Sequence, residues 1–150
     1  MSENNKIYRF TIFGSAVPER SQSAIVGGVN VPRRVQTFRT SKTRDWARTV
    51  QVQALQFKPP EPLQGEVELH CCFILPRPKS APKTKFKPHI GRPDLTQLYK
   101  VVEDGLRGIF YLDDAQIIGY GYCDGETRQK RYASPGEPVR VKIEVWNRPA

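Results

Sequence analysis

Long apolar runs are absent from this 150-residue chain. No stretch approaches the roughly 18 to 20 consecutive apolar residues of a membrane-spanning helix, so a helical membrane protein is not expected. The opening residues, Met1 to Asn5, lack the basic and apolar segments of a secretory signal. Cysteine is scarce: Cys71 and Cys72 are adjacent and Cys123 stands alone. An odd count with no Cys-x-x-Cys spacing gives neither a disulfide framework nor a zinc knuckle, and a reducing compartment is the simplest home. These absences predict a soluble, cytoplasmic protein. No internal repeat is visible, and 38 % hydrophobic residues suffice for one modest core but not two, so residues 1–150 are expected to form a single domain.

Acidic residues are also short, but only in one part of the chain. The formal charge is +9, and residues 1–93 carry 16 basic and 6 acidic side chains while residues 94–150 carry 8 and 9. A basic excess of that size makes polyanions the first partners to consider, nucleic acid before anionic membrane. No amphipathic basic helix supports the membrane reading.

Alternation from Ile7 to Phe13 predicts a half-buried strand with Tyr8, Phe10 and Ile12 on one side, ending at Gly14. From Val17 to Lys42 the composition turns to Pro, Gly, Ser, Gln and Arg, which predicts a long exposed basic loop over about residues 15–42. Ser41 is placed to cap a helix with Asp45 in its first turn, and Ala47, Val50, Ala54 and Phe57 make its apolar stripe before Pro59 and Pro60 stop it. Glu66 to Leu75 alternates again, with Val67, Leu69, Cys71, Phe73 and Leu75 on one face. Pro76 to Gly91 reads as a second basic loop, to about residue 92. Asp94 suits the N-cap of a helix running to about Arg107 and closed by Gly108. Gln116 to Tyr122 and Val139 to Val145 are the last strands, the latter with Val139, Val141, Ile143 and Val145 inward and Arg140, Lys142 and Glu144 outward. The order implies an α+β domain, its sheet mixed or mainly antiparallel and packed with two main helices.

On the helix after Asp94, Leu95, Leu98, Tyr99, Val102 and Leu106 gather on one face. Thr96, Lys100, Glu103 and Arg107 form a polar stripe beside it, with Gln97 and Asp104 on the far flank. Such a stripe is ordinarily a solvated side, carboxylates at a helix start are commonly caps, and Asp-Asp pairs are common in turns. Here, however, the pair Asp113 and Asp114 follows directly on the apolar run Ile109 to Leu112. Hydrolysing a phosphodiester needs a strong nucleophile and compensation for charge growing on the phosphoryl oxygens, and divalent metals held by two or three convergent carboxylates supply both. A lysine one helical turn away reaches a phosphate oxygen as a point charge. Lys100 stands in that relation to Thr96 and Glu103.

The run Arg92 to Ile118, about 27 residues, resembles the signature of RusA-type Holliday-junction resolvases, phage-borne members included. That signature reads Arg-Pro-Asp-Leu-Asp-Asn-Leu-x-Lys, then an Asp-Ala-Leu-like segment, then Asp-Asp-x-Gln followed by Ile or Val. Looser likenesses are the first strand with Gly14, Pro18 and Arg20 beyond it, the Ser41 to Trp46 helix start, and the strand leading into Pro76 to Lys79. The resemblance implies a homodimer that requires Mg²⁺ and cuts four-way DNA junctions by paired incisions. It implies catalytic roles for Asp94, Lys100, Asp104 and Asp114, with Asp113 beside the last. Thr96 and Gln97 depart from the family's aspartate and asparagine, so a metal ligand is missing. Either Glu103, seven positions later on the same stripe, fills the gap, or Thr96 binds through its hydroxyl or a water. Two rival readings stay open, a non-catalytic branched-DNA-binding protein and a nuclease of broader flap or fork specificity.

With DNA as partner, the cations expected to track its backbone are Arg20, Arg33, Arg34, Arg39, Lys42 and Arg44 in the first loop. Lys79, Lys83, Lys85, Lys87 and Arg92 do so in the second, and the bound protein would be nucleoid-associated. Phe38, in the basic segment, is the candidate to stack on an exposed base, whereas Trp46 reads as core. His70 and Cys72 share a strand face, but two ligands do not make a zinc site. His89 is left outside the site as an exposed or phosphate-facing residue.

Overall fold

The computed structural model describes residues 5–81 and 85–148. In these residues the chain forms an α+β fold of seven strands and two helices. Strand β1 (Lys6–Phe13) pairs antiparallel with β7 (Arg140–Arg148), and β7 pairs antiparallel with β4 (Glu66–Leu75). The far edge of β4 is shared end to end by two short parallel neighbours. Val67 to His70 pairs with β5 (Ile117–Gly121), and Phe73 to Leu75 pairs with β6 (Lys130–Tyr132). The five-stranded sheet is therefore mixed, and β4 lies at its centre.

That central position explains why β4 is buried throughout from Leu69 to Leu75 rather than on one face alone. Val67, Leu69, Cys71, Phe73 and Leu75 face the helices together with Ile12, Val141, Ile143 and Val145. Cys72 and Ile74 face the other way, against Cys123, Ala133 and Val139. Val139 thus belongs to this smaller cluster and not, as alternation suggested, to the main core. Glu144, expected outward, is buried too, because it accepts hydrogen bonds from the Asp124 N–H (2.6 Å) and the Trp146 ring N–H (2.9 Å).

Helix α1 (Ser41–Ala54) buries Trp46, Val50 and Ala54 against the sheet. Its N-cap is Thr40, not Ser41: the Thr40 hydroxyl accepts from the Thr43 N–H, and Asp45 lies beyond the first turn. Phe57 sits in a single 3-10 turn after the helix and stacks on Phe10 at 5.4 Å. Helix α2 (Leu95–Leu106) crosses α1 so closely that a Cβ built on Gly105 would lie 2.8 Å from Val50 Cγ1. A glycine is needed there because the backbone of α2 lies directly against the Val50 side chain and the Ala47 carbonyl of α1.

The long loop expected over residues 15–42 is not a loop. It holds a second, two-stranded sheet, β2 (Ser21–Gly28) against β3 (Val31–Arg39). Nearly every side chain on it is exposed, so no buried face imposed an amphipathic pattern on the sequence. The hairpin is set instead by its turn, where Asn30 takes φ 65°, and by a register shift at the end of β2, where Gly27 takes φ 95°, backbone conformations those residue types tolerate best. The second basic stretch, 76–92, has no helix or strand among its described residues.

Candidate active site

Helix α2 and the turn after it carry the acidic residues, and the fold fixes both. Asp94 occupies the N-cap position of α2, yet its side chain makes no capping hydrogen bond and stays exposed. The segment leading to it is held by Lys130 on β6, whose ammonium donates to the Gly91 and Pro93 carbonyls, each at 2.9 Å. After α2, Gly108 turns the chain with φ 86°, and buried Ile109, Phe110 and Tyr111 pin the return. Asp113 then caps a 3-10 turn, Asp114–Gln116, by accepting from the Ala115 N–H at 2.9 Å. Asp113 is thereby committed to local structure, and Asp114 is left to face α2.

Asp104 and Asp114 are brought together by one guanidinium. Arg107 Nη1 lies 2.9 Å from Asp114 Oδ2 and 3.4 Å from Asp104 Oδ1. Asp104 also receives Arg39 Nη2 at 2.7 Å and Lys100 Nζ at 3.5 Å, so three cations surround a carboxylate that is 14 % exposed. Arg39 in turn forms a bidentate pair with Glu19. Asp114 Oδ1 is buried with no hydrogen-bond partner. An orphaned carboxylate oxygen beside a shared cation is costly unless another positive group or water satisfies it.

Next to this network, Thr96, Lys100 and Glu103 line a cavity of about 420 Å³ with Leu95, Tyr99, Tyr120 and Gln129. Tyr120, on β5, donates to Glu103 Oε1 at 2.7 Å. Burial holds the Glu103 carboxyl above its ordinary pKa; the Tyr120 hydrogen bond and Lys100 oppose the rise, while the charges of Asp114 and Asp104 add to it. Tyr99 forms the floor: its hydroxyl accepts from the Cys71 N–H at 2.9 Å and donates to Gln129 Oε1 at 2.5 Å.

Thus Lys100, Glu103, Asp104 and Asp114 share one neighbourhood, and Thr96 and Glu103 do line the same cavity. Among the described residues, no three His, Cys, Asp or Glu side chains converge closely enough to hold a metal ion. Arg107 was readable as a position one turn after Asp104. Glu19 and Gln129 come from distant segments, and no local signal marked them.

Of the cations expected on DNA, Arg20, Arg33, Arg34, Lys42, Arg44, Lys79, Lys85 and Arg92 are exposed, and Lys87 is half-buried. Arg39 is engaged by Glu19 and Asp104, and Lys83 lies outside the described residues. Phe38 is exposed on β3 and Trp46 is buried. His70 is bonded to Glu68 and stacked on Trp146, and His89 packs against Tyr132. Burial, then Lys130, lower the pKa of His89. No helix among the described residues is long and apolar enough to cross a membrane.

No curated protein matches the chain. The family model described as endodeoxyribonuclease RusA matches residues 19–146, a span that takes in the hairpin, both helices and every acidic residue of the site.

Proposed function

The chain belongs to the RusA family of endodeoxyribonucleases, and from that premise we propose that it resolves four-way DNA junctions by Mg²⁺-dependent phosphodiester hydrolysis, with paired incisions made by a homodimer. The observation that carries this reading is the meeting of Asp104 and Asp114 at one bridging guanidinium, with Lys100 beside Asp104 and Glu103 in the adjoining cavity.

By donor type carboxylate oxygens suit a hard cation, and Asp114 Oδ1 is buried without a partner, although no three such groups converge among the described residues. Asp114, Asp104 and Glu103 are the residues that would hold it, whereas Asp94, ten positions before Asp104 and so about 15 Å away along the axis of α2, is too far to share that ion; Asp113 is spent on its turn. A bound Mg²⁺ would supply an activated water and neutralise charge on the scissile phosphate. Lys100 meets the growing negative charge on the phosphate as a point charge. Tyr120 keeps Glu103 aimed into the cavity and favours its ionised form. Arg107 pairs with both Asp104 and Asp114 and so competes with a bound cation for their oxygens. The exposed Arg20, Arg33, Arg34, Lys42, Arg44, Lys79, Lys85 and Arg92 draw the polyanion in. A junction has approximate two-fold symmetry, so two sites related by a dimer axis suit paired cuts.

A second reading is favoured by one observation: Thr96 stands where the family has an aspartate, and no three ligands converge among the described residues. It makes the protein a binder of branched DNA without catalysis. Cleavage of a labelled junction by Asp94→Asn, Asp114→Asn and Glu103→Gln variants tests the site. All three are expected to lose cleavage while keeping junction binding. Full activity in Glu103→Gln removes Glu103 from the site, and full activity in Asp114→Asn defeats the assignment as a whole. Comparing four-way, three-way and flap substrates separates a resolvase from a nuclease of broader taste.

A further inference from the structure

Residues 20–44 contain six Lys and Arg and no Asp or Glu. Most of them form the β2–β3 ribbon, paired from Ser21↔Arg39 to Val26↔Arg34. A strand turns successive side chains to opposite faces, so Arg33 points to one face of the ribbon and Arg34 to the other. The apolar side chains are divided in the same way: Ile25 and Val35, 71 % and 70 % exposed, pair on the Arg33 face, and Phe38 lies on the Arg34 face. A ribbon built to lie on a protein surface would gather its apolar groups on one face and its charges on the other. This one presents cation and apolar surface on both.

The base of the ribbon is tied to the candidate site. Arg39 bonds Asp104 and Glu19, the Thr40 N–H donates to the Arg20 carbonyl at 3.0 Å, and the Glu19 N–H donates to the Gln97 carbonyl of α2 at 2.9 Å. Whatever the ribbon grips is therefore held beside the α2 carboxylates.

On the reading that the substrate is DNA, we propose that the β2–β3 ribbon enters the major groove of a duplex arm, Arg33 and Arg34 each facing one of the two phosphate walls. The major groove, about 12 Å wide, admits a two-stranded ribbon and flanks it with phosphates on both sides. That demand matches a ribbon with an arginine on each face. The same uncompensated charge opposes the other candidate occupant, a second copy's ribbon, since the pairing would bring two cationic clusters together.

The test measures binding of a labelled four-way junction in EDTA as salt is raised, for the wild type, an Arg33→Ala/Arg34→Ala variant and a Lys58→Ala control off the ribbon. Losing two phosphate contacts is expected to lower the slope of log K against log salt by about 2, with Lys58→Ala unchanged. Methylation of guanine N7 in the arms is expected to interfere with wild-type binding, because that atom lies in the major groove. An unchanged slope in the double variant, an equal fall in Lys58→Ala, or no N7 interference overturns the proposal. A change of oligomeric state in the double variant also overturns it, since the ribbon would then join copies of the chain. A wild type that binds no junction would instead defeat the function proposed above.

Discussion

Replacing Gly105 by alanine probes the contact that sets α2 against α1. The new Cβ would lie 2.8 Å from Val50 Cγ1, 3.1 Å from Val50 Cβ and 3.3 Å from the Ala47 carbonyl oxygen. All three are inside ordinary van der Waals distance, and one is backbone, so side-chain rotation alone does not relieve them. Overpacking of this kind costs about 1–3 kcal/mol, and the tightness of the contacts puts the cost in the upper half of that range. Alanine returns roughly 1 kcal/mol through its better helix propensity. The net is a loss of about 1–2 kcal/mol, or a fall in Tm of roughly 2–8 °C for a domain of this size. A thermal melt followed by far-UV circular dichroism measures it. Repeating the substitution in a Val50→Ala background removes the 2.8 Å contact, and the penalty should shrink there by about 1 kcal/mol. A Tm that rises in Gly105→Ala, or a penalty independent of residue 50, would refute the close crossing of the two helices.

Other consequences are checked as directly. In Tyr120→Phe the hydrogen bond that opposes the upward shift of Glu103 is lost, so the acid limb of the cleavage pH profile should move to higher pH; an unmoved limb would mean that Glu103 does not act ionised. Arg107→Gln removes a cation that competes for Asp104 and Asp114, and half-maximal cleavage should need less Mg²⁺ than in the wild type; a higher requirement would contradict the shared site. Away from the site, burial pushes the Glu126 carboxyl up but hydrogen bonds from Arg131 and Lys142 overcome it, and Arg131 likewise holds Glu137 down, leaving both at about 2. A carboxyl with a depressed folded pKa adds stability that is complete above its ordinary value of 4.5 and is lost as pH falls toward 2. Arg131→Met leaves Lys142 on Glu126 and Arg140 on Glu137, so it should cost about 1–3 kcal/mol at neutral pH and flatten the acid limb of a pH-stability curve, and an unchanged limb would sink the assignment.

Helix α2 was legible because three signals agreed: an apolar stripe at helical spacing, a capping residue type before it and Gly108 after it. The motif run from Arg92 to Ile118 located the carboxylates for the same reason, being local in sequence. The β2–β3 ribbon was not legible, since exposed strands that pair only with each other need no buried face, and turn-forming residues then read as loop. Its base, where Arg39 meets Glu19 and Asp104, depends on contacts across 20 and 65 residues of sequence. Reading α2 as a wheel put Asp104 on a far flank, whereas the fold folds Arg39 and Arg107 around it. Nor does helical spacing reveal that Tyr120, from a strand on the far side of β4, closes the cavity over Glu103. Alternation misassigned Val139 and Glu144 because both faces of the sheet are partly covered, one by helices and one by the segment around Cys123 and Ala133.

The most direct test is to incubate the wild-type protein with an end-labelled mobile four-way junction, with Mg²⁺ or with EDTA, and resolve the products on native and denaturing gels. Nicked duplexes from two symmetric cuts are expected with Mg²⁺, and an intact, protein-bound junction with EDTA. A junction that is bound in both conditions but never cut, or cut equally in both, contradicts a metal-dependent centre on α2.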